Sequence, residues 1–236
     1  MQKLNYLQIV DVIILTIILF GQAIYSSTLS FLNTKGLGDS TLTYTSSLQN
    51  FQMIIFQGIL ILIALTYLYF RRFDFRQWQC QFSLRSTAIA LFLFLTLAIM
   101  MDLLFFILDE NFRNALFYYP WNFSEGVKQI ILQFKNFPLI LYAVLNGVYE
   151  ELFFIGICNY VIPKAKKLIF VLSLIIRISF HTYQGLLSAI GIGLFLGITY
   201  FWFYNNKSKN LYPIFLSHTI ADILGLSIVR YFIIAI

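Results

Sequence analysis

Seven long apolar runs constrain the fold of this chain more than any other feature of its sequence. They cover approximately residues 7–31, 51–70, 86–108, 138–162, 168–185, 186–204 and 211–235. A bilayer requires about 20 apolar residues for one helical span, and within lipid only helices and closed barrels satisfy all of their backbone hydrogen bonds. We therefore predict an all-α, polytopic transmembrane helix bundle.

The number of spans depends on how the fifth and sixth runs are connected. Only the polar patch at residues 181–185 separates them, so two readings stay open: two spans joined by a tight turn, or one bent element. We expect about seven spans, within a range of six to eight, because each run is close to the length that a bilayer requires. All of them belong to a single integral-membrane domain over residues 1–236.

The charge distribution predicts how this domain is oriented. The chain is 60% hydrophobic and only 11% charged, with a net charge of +6. Its basic residues lie mainly in short loops between the apolar runs, so the charge indicates membrane topology and not nucleic-acid binding. A cytoplasmic N-terminus would place four basic residues in the outer loops and ten on the inner side, namely Lys3, Arg71, Arg72, Arg76, Arg85, Lys164, Lys166, Lys167, Lys207 and Lys209. The positive-inside rule therefore predicts that the N-terminus is cytoplasmic.

Ionisable residues inside the apolar runs indicate chemistry within the membrane. Glu150 and Glu151 are adjacent in the fourth run, and the chain's two histidines, His181 and His218, also lie in apolar runs. A charged side chain at mid-bilayer costs about 2.5–3.5 kcal/mol on insertion scales, so such residues usually serve a function. Because Glu150 and His181 are each 14 residues from an inner-loop lysine, roughly 21 Å along a helix, we expect them in one layer.

The spacing of these residues predicts which side chains share a helix face. His218 and Asp222 are four residues apart and therefore lie on one face. Glu150 and Glu151 point about 100° apart, as neighbours on a helix must. We expect one glutamate to face the site and the other to hold a neighbouring helix through Arg177.

These residues resemble the three motifs of the CPBP (Abi, CAAX-protease-like) intramembrane endopeptidases. The family motifs are Glu-Glu-x-x-x-Arg, then Phe-x-x-x-His, then His-x-x-x-Asn/Asp. Five residues of the chain match them in order: Glu150, Glu151, His181, His218 and Asp222. The resemblance covers about residues 146–225 and implies a catalytic core over about residues 138–230.

Two positions depart from the family pattern. Ile155 stands where the first motif has its arginine, and Arg177 stands where the second motif has phenylalanine. We expect Arg177 to take over the structural pairing with the glutamates of the first motif.

The resemblance implies a catalytic role for each matching residue. Glu150 and His181 would activate a water, while His218 and Asp222 would lie near the oxyanion. An ionised Asp222 cannot donate a hydrogen bond, so we expect it to orient His218 instead.

The metal requirement stays open at this point. The family has been described both as metalloproteases and as glutamate proteases. If zinc were bound, Glu150, His181 and His218 would form an acceptable catalytic ligand set. The absence of a compact chelate such as His-Glu-x-x-His from the sequence favours glutamate-type catalysis without a cofactor.

The implied function is hydrolysis of a peptide bond in a membrane-embedded or lipidated peptide or protein. Members of the family are linked to prenylated-protein processing, peptide-signal maturation and bacteriocin self-immunity. Of these we expect one of the bacterial roles, and therefore a bacterial cell membrane. Two alternatives remain: a catalytically inactive membrane scaffold or immunity protein, suggested by Ile155, and a proton-coupled transporter, suggested by Glu, His and Asp inside the membrane.

Two further patterns predict structure without chemistry. Small residues recur every four positions from Gly185 to Gly197, which predicts close helix packing. Between the third and fourth runs, Ser124 is expected to cap a short amphipathic helix at the membrane surface.

Overall fold

The computed structural model describes residues 3–36 and 47–233, and these residues form an all-α fold. The described helices are α1 (Ile9–Asn33), α2 (Ser47–Phe70), α3 (Leu84–Leu108), α4 (Glu110–Tyr118), α5 (Phe123–Lys135), α6 (Phe137–Glu151), α7 (Lys166–His181), α8 (Leu186–Asn206) and α9 (Tyr212–Leu224). Six helical segments in the described ranges are long and apolar enough to cross a membrane. The structure therefore confirms the prediction of a polytopic helix bundle.

Helices α7 and α8 settle how the fifth and sixth apolar runs are connected. They are separate helices, joined by a short 3₁₀ turn over Thr182–Gln184 and by Gly185 with a φ of 88°. This positive φ is a conformation that glycine adopts without steric cost. Helix α7 has 16 residues, about 24 Å along its axis, and is shorter than a full span.

The basic loops gather at one end of the bundle. The backbone N–H of Leu4 donates to the carbonyl of Arg72, that of Leu7 donates to Tyr160, and that of Leu211 donates to Gln79. The first two bonds join the N-terminal segment to the loops after α2 and α6, and the third joins the loop after α8 to the loop after α2. The loops assigned to the cytoplasmic side are thus neighbours in the structure.

The opposite end of the bundle carries α4 and α5. The predicted surface helix is present as α5, but its N-cap is Asn122 and not Ser124. The Asn122 side chain accepts from the backbone N–H of Glu125 at 3.0 Å. Ser124 was the wrong cap because the helix begins at Phe123, two residues earlier than a cap at Ser124 requires, which leaves the serine inside the first turn.

Two of the predicted spans are interrupted near the polar residues. The α-helical pattern of α6 changes after Glu151 into a π-helical turn over Leu152–Ile157, a distortion that often occurs at functional sites. The last run is not one continuous helix, because α9 ends at Leu224 and is followed by Gly225 with a φ of 72°.

The predicted small-residue stripe lies where α7 and α8 meet. A Cβ atom added to Gly193 would come within 3.1 Å of the Ile178 backbone nitrogen, and one added to Gly197 would meet the Leu174 side chain. The glycines therefore allow the two helices to approach closely, as the spacing predicted.

We expect Gly193→Ala to lower the free energy of unfolding by about 1–3 kcal/mol, because the methyl group meets backbone atoms that cannot move aside. Thermal unfolding of the purified protein in detergent measures this effect. Gly58→Ala is the matched control, since no atom lies within 4 Å of the added methyl group. Equal stability of the two variants would contradict the packing assigned to Gly193.

Candidate active site

Helix α6 brings both glutamates into the bundle, and they have different partners there. Arg177 on α7 donates from Nη1 to Glu151 Oε1 at 2.7 Å and from Nη2 to Glu151 Oε2 at 2.9 Å. Glu151 is 0% exposed and Arg177 is 1% exposed. The guanidinium group also lies 3.9 Å from the centre of the Phe154 ring. The expected pairing of one glutamate with Arg177 is therefore present, and that glutamate is Glu151.

His218 lies between the two glutamates. The close approach of α6 and α9 places it there, because a Cβ atom on Gly147 would be 2.9 Å from Thr219 Oγ1. His218 Nδ1 is 2.6 Å from Glu151 Oε1. The carboxylate of Glu151 thus holds a guanidinium on one side and an imidazole on the other.

The second nitrogen of His218 faces the remaining carboxylates. Nε2 is 3.7 Å from Glu150 Oε2 and 3.5 Å from Asp222 Oδ1. These separations exceed ordinary hydrogen-bond distances. Asp222 was expected to orient His218, but Glu151 makes the shortest contact to that ring, and Asp222 lies at its other side.

Asn146 joins Glu150 to Asp222. Its Nδ2 donates to Glu150 Oε1 at 3.0 Å and to Asp222 Oδ2 at 2.9 Å. Its Oδ1 accepts from Gln57 Nε2 on α2 at 2.6 Å. One amide therefore sets the separation of two carboxylates from different helices.

Sequence reasoning missed Asn146 and Gln57 as members of the site. Asn146 lies four residues before Glu150, so helical spacing places both on one face. Gln57 is a polar residue in an otherwise apolar span. The helical spacing of Asn146 and the polarity of Gln57 were the available signals. Neither signal shows which side chain the residue bonds to, because that depends on the tertiary structure.

His181 lies at the end of α7 with a defined hydrogen bond. Its Nδ1 is 2.8 Å from the carbonyl oxygen of Arg177. A carbonyl oxygen only accepts, so Nδ1 carries the proton and Nε2 of the neutral ring is an acceptor. The ring is buried, with 8% of its surface exposed.

One oxygen of Glu150 has no hydrogen-bond donor. Oε1 accepts from Asn146, whereas Oε2 is buried and receives no hydrogen bond within residues 3–36 and 47–233. Its closest cationic neighbour is Arg177 Nη1 at 3.6 Å. A buried acceptor without a donor costs about 1–3 kcal/mol, which makes this atom a site for a hydrogen-bonding ligand.

The arrangement of donor atoms is a poor fit for zinc. In the described part of the chain, the candidate metal group consists of Glu150, Glu151 and His218, with ligand atoms within 4.8 Å of one another. His181 is not in that group, which therefore differs from the set expected from the sequence. Both oxygens of Glu151 already accept from Arg177, and a cation there would lie beside that guanidinium charge.

Comparison with known families places this site in a protein class. The family model described as type II CAAX prenyl endopeptidase Rce1-like matches residues 133–224. That range contains every residue of the site except Gln57, so the site lies in the part of the chain that is similar to CAAX-type proteases. The matched range contains all three motifs of the chain, so the match supports the resemblance to the CAAX-protease-like family that these motifs indicated. No curated protein and no solved structure matches the chain.

We expect Asn146→Leu to lower kcat by about 10- to 100-fold, the range found when a group that orients reacting residues is removed. The Michaelis constant should stay near that of the wild type, because Asn146 is buried and positions Glu150 and Asp222. Steady-state cleavage of a peptide substrate separates the two constants.

Asp222→Asn is the informative comparison for this prediction. The amide oxygen of the new side chain can still accept from Asn146, and the family motif contains Asn at this position. This variant should retain more activity than Asn146→Leu. Asn146→Leu with wild-type kcat would contradict a positioning role.

Proposed function

We propose that this protein is an intramembrane endopeptidase in which Glu150 and His181 activate a water for attack on a peptide bond. The observation that carries this proposal is the free oxygen of Glu150. Oε2 is buried among ionisable side chains, and no donor in the described residues bonds to it. A water that donates to Oε2 would satisfy this oxygen and would be held at the centre of the site.

In the proposed mechanism the water has two acceptors. Glu150 Oε2 takes the proton as general base, while the oxygen of the water attacks the carbonyl carbon of the peptide. His181 Nε2 is also an acceptor, because the proton of its neutral ring is on Nδ1. The proton held by Glu150 then passes to the leaving amine as the carbon–nitrogen bond breaks.

His218 is placed to stabilise the negative charge that develops on the carbonyl oxygen. Its Nδ1 donates to Glu151, so donation from Nε2 as well requires the imidazolium form. A cation held in place before the reaction stabilises an oxyanion with little reorganisation. Asp222 lies on the Nε2 side of the ring and accepts from Asn146.

Arg177 and Glu151 form the structural support of this mechanism. Arg177 binds both oxygens of Glu151, and Glu151 holds the ring of His218. The guanidinium that the family places at the position of Ile155 is supplied here by α7. This compensation supports the enzyme over the inactive scaffold that Ile155 suggested.

We further propose that the catalysis is of the glutamate type and requires no metal. Two features support this: Arg177 occupies the carboxylate of Glu151, and His181 lies outside the cluster of candidate ligands. The substrate is a membrane-embedded or lipidated peptide or protein. Bacteriocin self-immunity or peptide-signal maturation in a bacterial cell membrane is the physiological role that we assign.

The test is proteolysis by the purified protein in liposomes, against a panel of lipidated and transmembrane peptides analysed by mass spectrometry. Wild-type protein is assayed beside His181→Ala, with and without a zinc chelator. We expect defined cleavage products from the wild type in both conditions, and a loss of at least about 100-fold in the variant, as for removal of an acid–base group.

Three outcomes would change this proposal. Activity lost in chelator and restored by zinc would identify a metalloprotease. Full activity of His181→Ala would remove this histidine from the mechanism. Proton-coupled solute uptake into the liposomes, without cleavage of any peptide, would favour the transporter alternative.

A further inference from the structure

A polar cavity lies at the basic end of the bundle, apart from the glutamate site. Its volume is about 330 Å³. It is bounded by the start of α7, the end of α8 and the loops that follow α2 and α8. Six of its lining residues matter here: Gln77, Gln79, Asn159, Lys166, Asn205 and Lys209.

Two lysines converge in this cavity. Lys166 Nζ donates to Asn205 Oδ1 at 3.3 Å, and Lys209 Nζ donates to the same oxygen at 3.1 Å. The two distances add to 6.4 Å, so the ammonium nitrogens are no farther apart than that. Two like charges at this separation repel each other unless an anion lies between them.

The orientation of Asn205 is determined by its other hydrogen bonds. Its Nδ2 donates to Asn159 Oδ1 at 2.8 Å and to the carbonyl of Phe201 at 2.9 Å. Both partners accept, so Oδ1 of Asn205 must face the lysines. The convergence of the two ammonium groups is therefore built into the fold.

No carboxylate neutralises these lysines within the described residues. The lining of the cavity contains no Asp or Glu, and neither lysine forms an ion pair there. Asp74, three residues before Gln77, is already paired with Arg76 at 2.9 Å and with Lys3 at 3.5 Å. Burial lowers the pKa of Lys209 from its usual value, and the charge of Lys166 lowers it further.

One residue of the cavity lining also carries a hydrogen-bond donor without an acceptor. Gln77 Nε2 is buried and has no partner within the described residues. Buried donors without an acceptor are uncommon and mark positions that a ligand can satisfy. Two ammonium groups and an amide N–H all require the same kind of ligand, an anion with several oxygen atoms.

We infer that this cavity binds a phosphate-bearing anion, the headgroup of an anionic phospholipid of the cytoplasmic leaflet. The location supports a lipid, because Lys166 begins a helix of the bundle and the cavity lies among the loops that the positive-inside rule assigns to the cytoplasm. Basic sites between helices on that side bind anionic headgroups. This site is independent of the proposed proteolysis.

The test is calorimetric titration of the full-length protein in detergent with short-chain phosphatidylglycerol, short-chain phosphatidylcholine and inorganic phosphate. We expect phosphatidylglycerol to bind more tightly than either of the others. Lys166→Gln/Lys209→Gln should weaken its binding roughly 25-fold, because each lysine near an anionic lipid contributes about a factor of five.

Two further variants make the test specific to the cavity. Lys164→Gln/Lys167→Gln removes the same charge from exposed positions on either side of Lys166. It should change the affinity less than about twofold, because neither residue lines the cavity. Gln79→Glu places a carboxylate in the lining, keeps both lysines, and should also weaken binding.

The outcomes separate the sources of the anion. Inorganic phosphate binding as tightly as phosphatidylglycerol would show that the site takes a free anion and would overturn the lipid assignment. Unchanged phosphatidylglycerol affinity in Lys166→Gln/Lys209→Gln would overturn the site. Absence of phosphatidylglycerol binding to the wild type would do the same.

Discussion

Replacing Glu150 with glutamine is expected to abolish peptide cleavage while leaving the fold intact. The new side chain keeps an oxygen that can accept from Asn146. The free carboxylate oxygen, however, is replaced by an amide NH₂ group, which cannot take a proton from water. Loss of a general base lowers kcat by about 10²–10⁴-fold. Cleavage rates under saturating substrate, measured in liposomes, determine this effect.

The stability of Glu150→Gln should move in the opposite direction. The wild-type carboxylate is 4% exposed and one of its oxygens lacks a donor. An uncharged amide has a smaller desolvation penalty, so we expect thermal stability equal to that of the wild type or higher. This combination of inactivity with undiminished stability distinguishes a catalytic glutamate from a structural one.

The matched control for this prediction is Glu125→Gln. Glu125 is on the surface helix α5, where it pairs with Lys128 in an exposed contact at 3.2 Å. The same chemical change at this position should leave cleavage unaffected. Substantial activity in Glu150→Gln would show that another group activates the water.

Replacing Arg177 with methionine is expected to destabilise the protein strongly. The substitution leaves the carboxylate of Glu151 fully buried without its guanidinium partner. Breaking a buried ion pair by removing one member costs about 3–5 kcal/mol. Denaturant unfolding in mixed micelles, followed by tryptophan fluorescence, measures the change in the free energy of unfolding.

A double variant tests whether this cost arises from the pair. Arg177→Met/Glu151→Gln removes both charges and leaves an amide oxygen that can still accept from His218. We expect it to be more stable than Arg177→Met alone, because no uncompensated charge stays buried. The stability of Arg177→Lys should lie between that of Arg177→Met and that of the wild type. The lysine keeps a positive charge beside Glu151, but an ammonium group cannot form the two parallel bonds of the guanidinium.

The exposed pair of Lys128 and Glu125 provides the control for solvent exposure. Lys128→Met should cost no more than about 1 kcal/mol, as is usual for surface ion pairs. A similarly small cost for Arg177→Met would refute the idea that Arg177 replaces the family arginine missing at Ile155.

For the two glutamates, the sequence predicted that their roles differ but not which role each one has. Adjacent positions on a helix must diverge, so a division of roles between Glu150 and Glu151 was predictable from geometry alone. Which glutamate pairs with Arg177 depends on the position of α7 around α6. The packing of the helices therefore decided that Glu151, and not Glu150, forms the structural pair with Arg177.

For the metal ligands, the set expected from the sequence differs from the group that the structure brings together. The residue types allowed a ligand set of Glu150, His181 and His218, because zinc accepts this combination. The structure instead clusters Glu150 with Glu151 and His218, and places Arg177 against them. The residue types that can bind a metal were visible in the sequence, whereas their distances and the neighbouring cation were not.

The sequence by itself determined the membrane class, the number of apolar runs and the residues that carry charge into the bilayer. Those properties follow from local hydrophobicity and from the cost of burying charge, which act on each segment separately. The tertiary structure decided that Asn146 joins Glu150 to Asp222, and that Lys166 and Lys209 share one oxygen atom. Contacts of this kind depend on the rotation and register of helices far apart in the chain, which the period of a single helix does not specify.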